Sequence, residues 1–130
     1  MHQTLHAVTL VVPDDDAAIA FYTQKLNFTL TKDIDLGGGK RWVLVTPPGT
    51  DSGSLLLARA QGPDQVAAVG NQTGGRVGFF LQTDNFERDY AAMMANGVHF
   101  EEEPRHEPYG TVAVWRDPFG NRWDLLQFSE

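Results

Sequence analysis

The order of secondary-structure signals is written twice in this 130-residue chain, and that repetition restricts the fold more than any single residue does. In the first half, residues 5–12 (LHAVTLVV) are rich in β-branched side chains and read as a strand. Asp14 is placed to cap a helix over residues 15–26, with further acid in its first turn. Ile19, Tyr22 and Leu26 form the apolar stripe of that helix, and Asn27 ends it, a residue that tolerates a left-handed backbone. Strands follow over 28–33, 41–46 and 54–59, separated by GGG at 37–39 and PPG at 47–49.

The same order then returns. Residues 76–83 (RVGFFLQT) read as a strand, and Asp84 or Asn85 caps a helix running to Ala95. Its apolar face is Phe86, Tyr90, Met93 and Met94, and Gly97 supplies the exit turn. Strands over 98–103, 111–116 and 122–128 complete the set. A shift of 70 places Asp14 on Asp84, Leu10 on Phe80 and Asn27 on Gly97. A βαβββ unit used twice explains the pattern. Residues 62–75, with a short helical stretch at 63–69 and a glycine-rich end, read as the linker. One half alone has too little core to be stable. The expectation is therefore one α+β domain over residues 1–130, with module 1 at about 5–60, linker 61–74 and module 2 at about 75–130. Its two modules form a curved mixed sheet around a cleft, with helices outside.

Composition removes several function classes. Hydrophobic residues make up 42% of the chain, enough for a packed core. A formal net charge of −7 argues against a nucleic-acid partner, which needs a basic surface. The absence of cysteine excludes disulfides, thiolate chemistry and a cysteine zinc site. No apolar run approaches the length that spans a membrane, and no signal-peptide pattern opens the chain, so cytoplasmic residence is expected.

Two stretches carry a family resemblance. DDDAAIAFYTQKLNF (14–28) resembles the opening helix signature of the vicinal-oxygen-chelate superfamily, which holds glyoxalases, bleomycin-resistance proteins and extradiol dioxygenases. DPFGNRWDL (117–125) is similar to its closing Asp-Pro-x-Gly signature. Asn27 stands where the family usually has glycine, a mild change at a helix end. GNQTGGRVGFFL and HEPYGTVAVWRDPFGNRWDL also resemble a bacterial glyoxalase-like subgroup. The resemblance implies the glyoxalase/bleomycin-resistance fold, a small-molecule ligand and a homodimer.

It also implies where a metal would sit, and those positions are mostly vacant. The first-strand ligand, seven residues before Asp14, is Ala7. His6 is adjacent, but one residue along a strand points to the other face, so its recruitment needs a bulge. The fourth strand offers only Leu55, Leu56 and Leu57 where glyoxalase-type members carry glutamate. Counting back from Gly97 gives Arg76 for the second-half ligand, and the closing carboxylate is Asp124. An acid and a guanidinium do not make a divalent-cation site. No cofactor is expected, with a divalent metal as the alternative. Arg76 and Asp124 are instead expected to pair across the cleft, or Arg76 to clamp an anionic ligand.

The remaining candidates have plainer readings beside the functional ones. Trp42 and Trp115 alternate with core residues and can line the cleft, as can Phe80; Trp123 is expected under a helix. His106 and Tyr109 share the loop RHEPYG, while Glu101–Glu103 read as a solvated strand end. Asp124, Arg76 and Tyr109 are the catalytic candidates; Trp42, Phe80, His106 and Trp115 are the ligand-binding ones. The functional reading is a metal-free small-molecule binder, or an atypical enzyme acting on a small anionic or oxygenated metabolite. The alternatives are a metal-dependent lyase or isomerase of the lactoylglutathione-lyase type and a drug-sequestering protein of the bleomycin-resistance type.

Overall fold

A computed structural model describes all residues, 1–130, and the chain divides into two compact units, Met1–Val69 and Gly70–Glu130. In the first unit, β1 (Ala7–Val12) leads to α1 (Asp15–Ala20), then β2 (Thr29–Gly37), β3 (Lys40–Thr46), β4 (Ser54–Arg59) and α2 (Gly62–Ala68). The sheet order is β1-β4-β3-β2, with β1 and β4 parallel and the other pairs antiparallel. Asp14 caps α1 as its sequence suggests, its carboxylate accepting the Ala17 N–H at 2.8 Å. Leu10, Val12, Val43, Val45 and Leu57 are buried, with Ala18 and Tyr22 of the helical segment also enclosed. β2 extends past the expected residue 33 because it pairs with β3 up to the glycine turn, and all nine of its residues are exposed.

The second unit repeats the order. β5 (Phe79–Gln82) is followed by α3 (Phe86–Ala95), β6 (His99–Phe100), β7 (Arg105–Glu107), β8 (Gly110–Arg116) and β9 (Arg122–Phe128). The order is β5-β9-β8-β6, with β5 and β9 parallel and β7 also paired to β8. The core is aromatic: Trp115 stacks on Trp123 with centroids 4.9 Å apart, and Trp123 stacks on Phe79 at 4.8 Å. On α3, Phe86 and Met93 are buried and Tyr90 packs edge-on against Phe100, but Met94 is half exposed and lies outside the apolar face expected for it. The expected strand over 98–103 shortens to β6, because Pro104 has no N–H for the ladder and Glu102 bonds β8 through its side chain, and β7 forms at the start of the stretch RHEPYG that read as a loop.

The helices differ by one residue, and the difference decides the register between the halves. α1 continues as a π-helical turn over Phe21–Lys25, whereas α3 is α-helical throughout. The left-handed exit residues, Asn27 (φ 61°) and Gly97 (φ 85°), are 70 apart, as the sequence shift assumed. The N-caps are Asp14 and Asn85, which are 71 apart; Asn85 accepts the Arg88 N–H. A π-turn holds one extra residue, so the shift of 70 is correct after the helix and one short before it. Thr9, not Leu10, therefore corresponds to Phe80. Their ladder partners, Leu56 and Asp124, correspond too. A slip of one residue exchanges the faces of a strand, which is why Leu10 is buried and Phe80 is 65% exposed.

Candidate functional site

Asp124 lies in the middle of β9, opposite Phe80 on one side and Val114 on the other. The alternation that buries Trp123 and Leu125 against the aromatic core turns Asp124 to the other face of the sheet, with Phe80, Arg122 and Val114. The turn that launches β9 is rigid. Asp117, itself buried, accepts the N–H groups of Phe119 and Asn121 at 3.0 and 2.9 Å and the Asn121 side-chain amide at 2.7 Å. Gly70 packs on this turn with positive φ, and a Cβ there would run into the Phe119 carbonyl oxygen.

Asp124 is half-buried, and its Oδ1 is shut from solvent with no hydrogen-bond partner. Burial pushes its carboxyl above the ordinary range; Arg105 pulls it back, Glu102 pushes it up, and Arg122 again lowers it. The neighbouring charges form a lattice along the sheet. Arg105 Nε donates to both oxygens of Glu102 at 2.9 and 3.1 Å, and its Nη1 to Glu107 at 3.0 Å. Glu101 accepts from Arg116 at 2.7 Å and from Arg122 at 2.9 and 3.1 Å, which holds its carboxyl below the usual range despite partial burial. Glu102 also accepts the Val114 N–H at 2.9 Å, standing in for a ladder bond that the broken strand cannot supply.

These contacts correct two expectations. Arg76 does not reach Asp124. It is exposed and precedes β5, four residues before Phe80, so about 13 Å of strand separates it from the acid. The count that chose it ran from the helix exit; counting seven residues back from the true cap, Asn85, gives Gly78, two residues further on, whose N–H bonds the Arg122 carbonyl. Glu101 and Glu102 are not a solvated strand end but partners of Arg105, Arg116 and Arg122. The sequence carried a faint signal for them, an acidic run beside arginines on adjoining strands. Nothing in linear spacing shows which pairs will meet.

The other candidates take these places within their own units. Trp115 is fully buried on the face opposite Asp124, so it packs core instead of presenting a surface. Tyr109 is exposed in the β7–β8 turn, and His106 Nδ1 lies 3.3 Å from the Thr111 hydroxyl at the sheet edge. Trp42 belongs to the first unit, exposed and opposite Ile34 on β2. Of the predicted residues, the structure brings Phe80 and Asp124 together. In the first unit the sequence missed a hydroxyl chain. Thr31, Thr46 and Ser54 link at 3.0 and 2.7 Å, and Ser54 is the ladder partner of Ala7. The His6 carbonyl accepts the Ser54 N–H at 3.3 Å, which ties down the chain entering β1. No three or more His, Asp or Glu side chains converge as metal donors.

The comparisons with known proteins agree with this scaffold. The model for the Glyoxalase/Bleomycin resistance protein/Dioxygenase superfamily matches residues 4–125. An uncharacterized protein of Shewanella frigidimarina (strain NCIMB 400) is 50% identical over 131 residues, covering 100% of this chain and 97% of the relative. The crystal structure of UcmS2 superposes with a TM-score of 0.84 at 32% identity, covering 97% of this chain and 98% of that one. TnmS3, an antibiotic binding protein from Streptomyces sp. CB03234, superposes with a TM-score of 0.78 at 30% identity, covering 99% and 98%. With a family model matched over residues 4–125 and two mixed sheets of the same fold as these neighbours, the chain belongs to the Glyoxalase/Bleomycin resistance protein/Dioxygenase superfamily.

Proposed function

We propose that this protein binds and sequesters a small organic molecule on the Asp124 face of its second unit, without a resident metal and without transforming the ligand. The observation that carries this reading is a half-buried carboxylate, Asp124, with no ion pair, beside an aromatic ring, Phe80, that is 65% exposed. Such a site offers one polar anchor and one apolar surface, the usual makeup of a ligand pocket. The likeness to TnmS3, described as an antibiotic binding protein, supports the same class of function.

The donor set supports the metal-free part of this reading. A divalent cation wants three or four oxygen or nitrogen donors, and Asp124 has guanidiniums for neighbours while Ala7 and Gly78 stand at the strand positions. An enzyme reading needs a second group near Asp124 to stabilise developing charge. Arg76 lies four ladder positions away and Tyr109 five, about 13 and 17 Å, and the nearer guanidiniums of Arg105 and Arg122 are engaged by Glu102, Glu107 and Glu101, which favours binding over turnover. A clamp on an anionic metabolite through Arg76 would act away from Asp124. A homodimer is the assembly this reading carries forward from the family.

Titration calorimetry against a panel of aromatic antibiotics, followed by mass spectrometry of the recovered ligand, tests the proposal. The expected result is one site per chain, weakened in Phe80→Ala and Asp124→Ala, with the ligand returned unchanged. Conversion of the ligand, lost in Asp124→Asn, would replace sequestration by catalysis.

A further inference from the structure

We infer that the ligand bound at Asp124 carries a protonated amine on an apolar body, the ammonium taking the place beside this carboxylate that no guanidinium of the chain fills. The inference rests on the binding reading above and adds the charge class of the ligand to it.

The argument is one of partners already taken. Four carboxylates, those of Glu101, Glu102, Glu107 and Asp124, share this part of the sheet with the guanidiniums of Arg105, Arg116 and Arg122. Arg105 is committed to Glu102 and Glu107. Arg122 is committed to Glu101 and, through Nη1, to the Gly75 carbonyl at 2.9 Å; Arg116 is committed to Glu101. Asp124 alone among the four has no ion pair. The second unit holds no reserve cation there either, because residues 70–130 contain no lysine, Arg88 is committed to Asp84 and Asp89, and Arg76 sits before β5, off the register of Asp124.

A neutral hydroxyl or amide ligand would supply a hydrogen bond but leave the surplus negative charge in place. An anion would add to it. An ammonium does both things the site lacks, and a charge-assisted bond is stronger than a neutral one. Phe80 favours the same chemistry, since the face of an exposed aromatic ring attracts a cation and its area holds the apolar body.

Three probes of matched size separate the outcomes on the full-length chain: 3-phenylpropylamine, 3-phenyl-1-propanol and 3-phenylpropionate, titrated with backbone amide chemical shifts as the readout. The amine is expected to shift Phe80 and Asp124 and to bind about tenfold more tightly than the alcohol, with the propionate weaker than both. In Asp124→Asn the amine should fall to the level of the alcohol, and in wild type its advantage should shrink in 1 M salt. If the alcohol or the propionate shifts Phe80 and binds as tightly as the amine, the charge class is overturned while the binding reading stands. If no probe moves the Asp124 face, both fall together.

Discussion

The two units share an order of elements and a sheet topology, yet the faces their sheets turn away from α1 and α3 have opposite chemistry. In the first unit that face carries Ala7, Ser54 and Thr46 beside Leu56 and Trp42, with hydroxyls bonded to each other and no carboxylate. In the second, the corresponding strands carry Asp124 and Phe80 among the arginines and glutamates of the β6–β8 region. Charge is divided just as unevenly: residues 70–130 hold ten acids against five arginines, so they account for −5 of the formal −7. Equivalent ladder positions, Leu56 and Asp124, thus hold an apolar side chain in one copy and the anchor of the candidate site in the other. A repeated backbone fixes where side chains point, not what they are, so one unit serves as scaffold while its twin carries the site.

The contrast breaks most severely at the tryptophans. Trp115→Ala removes the centre of the second unit's stack and should cost about 3–5 kcal/mol, read from urea unfolding. Trp42→Ala, on the exposed ribbon of the first unit, should cost less than about 1 kcal/mol in the same measurement. Comparable losses would show that the Trp42 face is covered in solution.

The charge lattices come next. Glu101→Gln should lose about 1–2 kcal/mol at pH 7, because one carboxylate serves two guanidiniums. Its folded carboxyl titrates below its unfolded value of 4.5, so the stability it adds is present above that pH and lost as pH falls through the lower folded value. Acid unfolding of the variant should lack that component. Asp33→Asn, at a carboxylate more exposed than Glu101 and bonded to one arginine, Arg41, should cost about 0.5 kcal/mol or less. Equal costs would erase the distinction between a shared carboxylate and a surface pair.

The smallest effect has the opposite sign. Asp124 is raised by burial, so its folded form holds a proton more tightly than the unfolded chain, and stability falls as pH rises from 3.8 through the raised value. Asp124→Asn should therefore unfold at slightly higher urea concentration than wild type at pH 7, and the gap should close near pH 3. A loss of stability at pH 7 would mean that Asp124 has a partner in the folded protein.

Much of the fold was legible because it is written locally. Asp14 caps its helix, Asn27 and Gly97 leave theirs with positive φ, and the closing turn is built by Asp117 and Asn121. Each acts over a few residues, and residue type alone announces it. The candidate site was legible in part. Asp124 was marked as the closing carboxylate of the family signature, and Phe80 as a residue able to line the cleft. Arg76 was misjudged by two positions against Gly78, and the π-turn, invisible to periodicity, accounts for one of them. Glu101 and Glu102 were passed over, because their arginines lie 3 to 21 residues away, as far as Arg122 is from Glu101.

What the sequence determined by itself was the duplicated order, the helix boundaries, the turns and the family, since these depend on short-range sterics and capping. The tertiary structure alone decided which residue faces which. Ladder registers between β5, β9 and β8 placed Phe80 beside Asp124 and spent Arg105, Arg116 and Arg122 on other carboxylates. The physical reason is that these choices are made by hydrogen bonds across strands, where one residue of slip turns a buried leucine into an exposed phenylalanine.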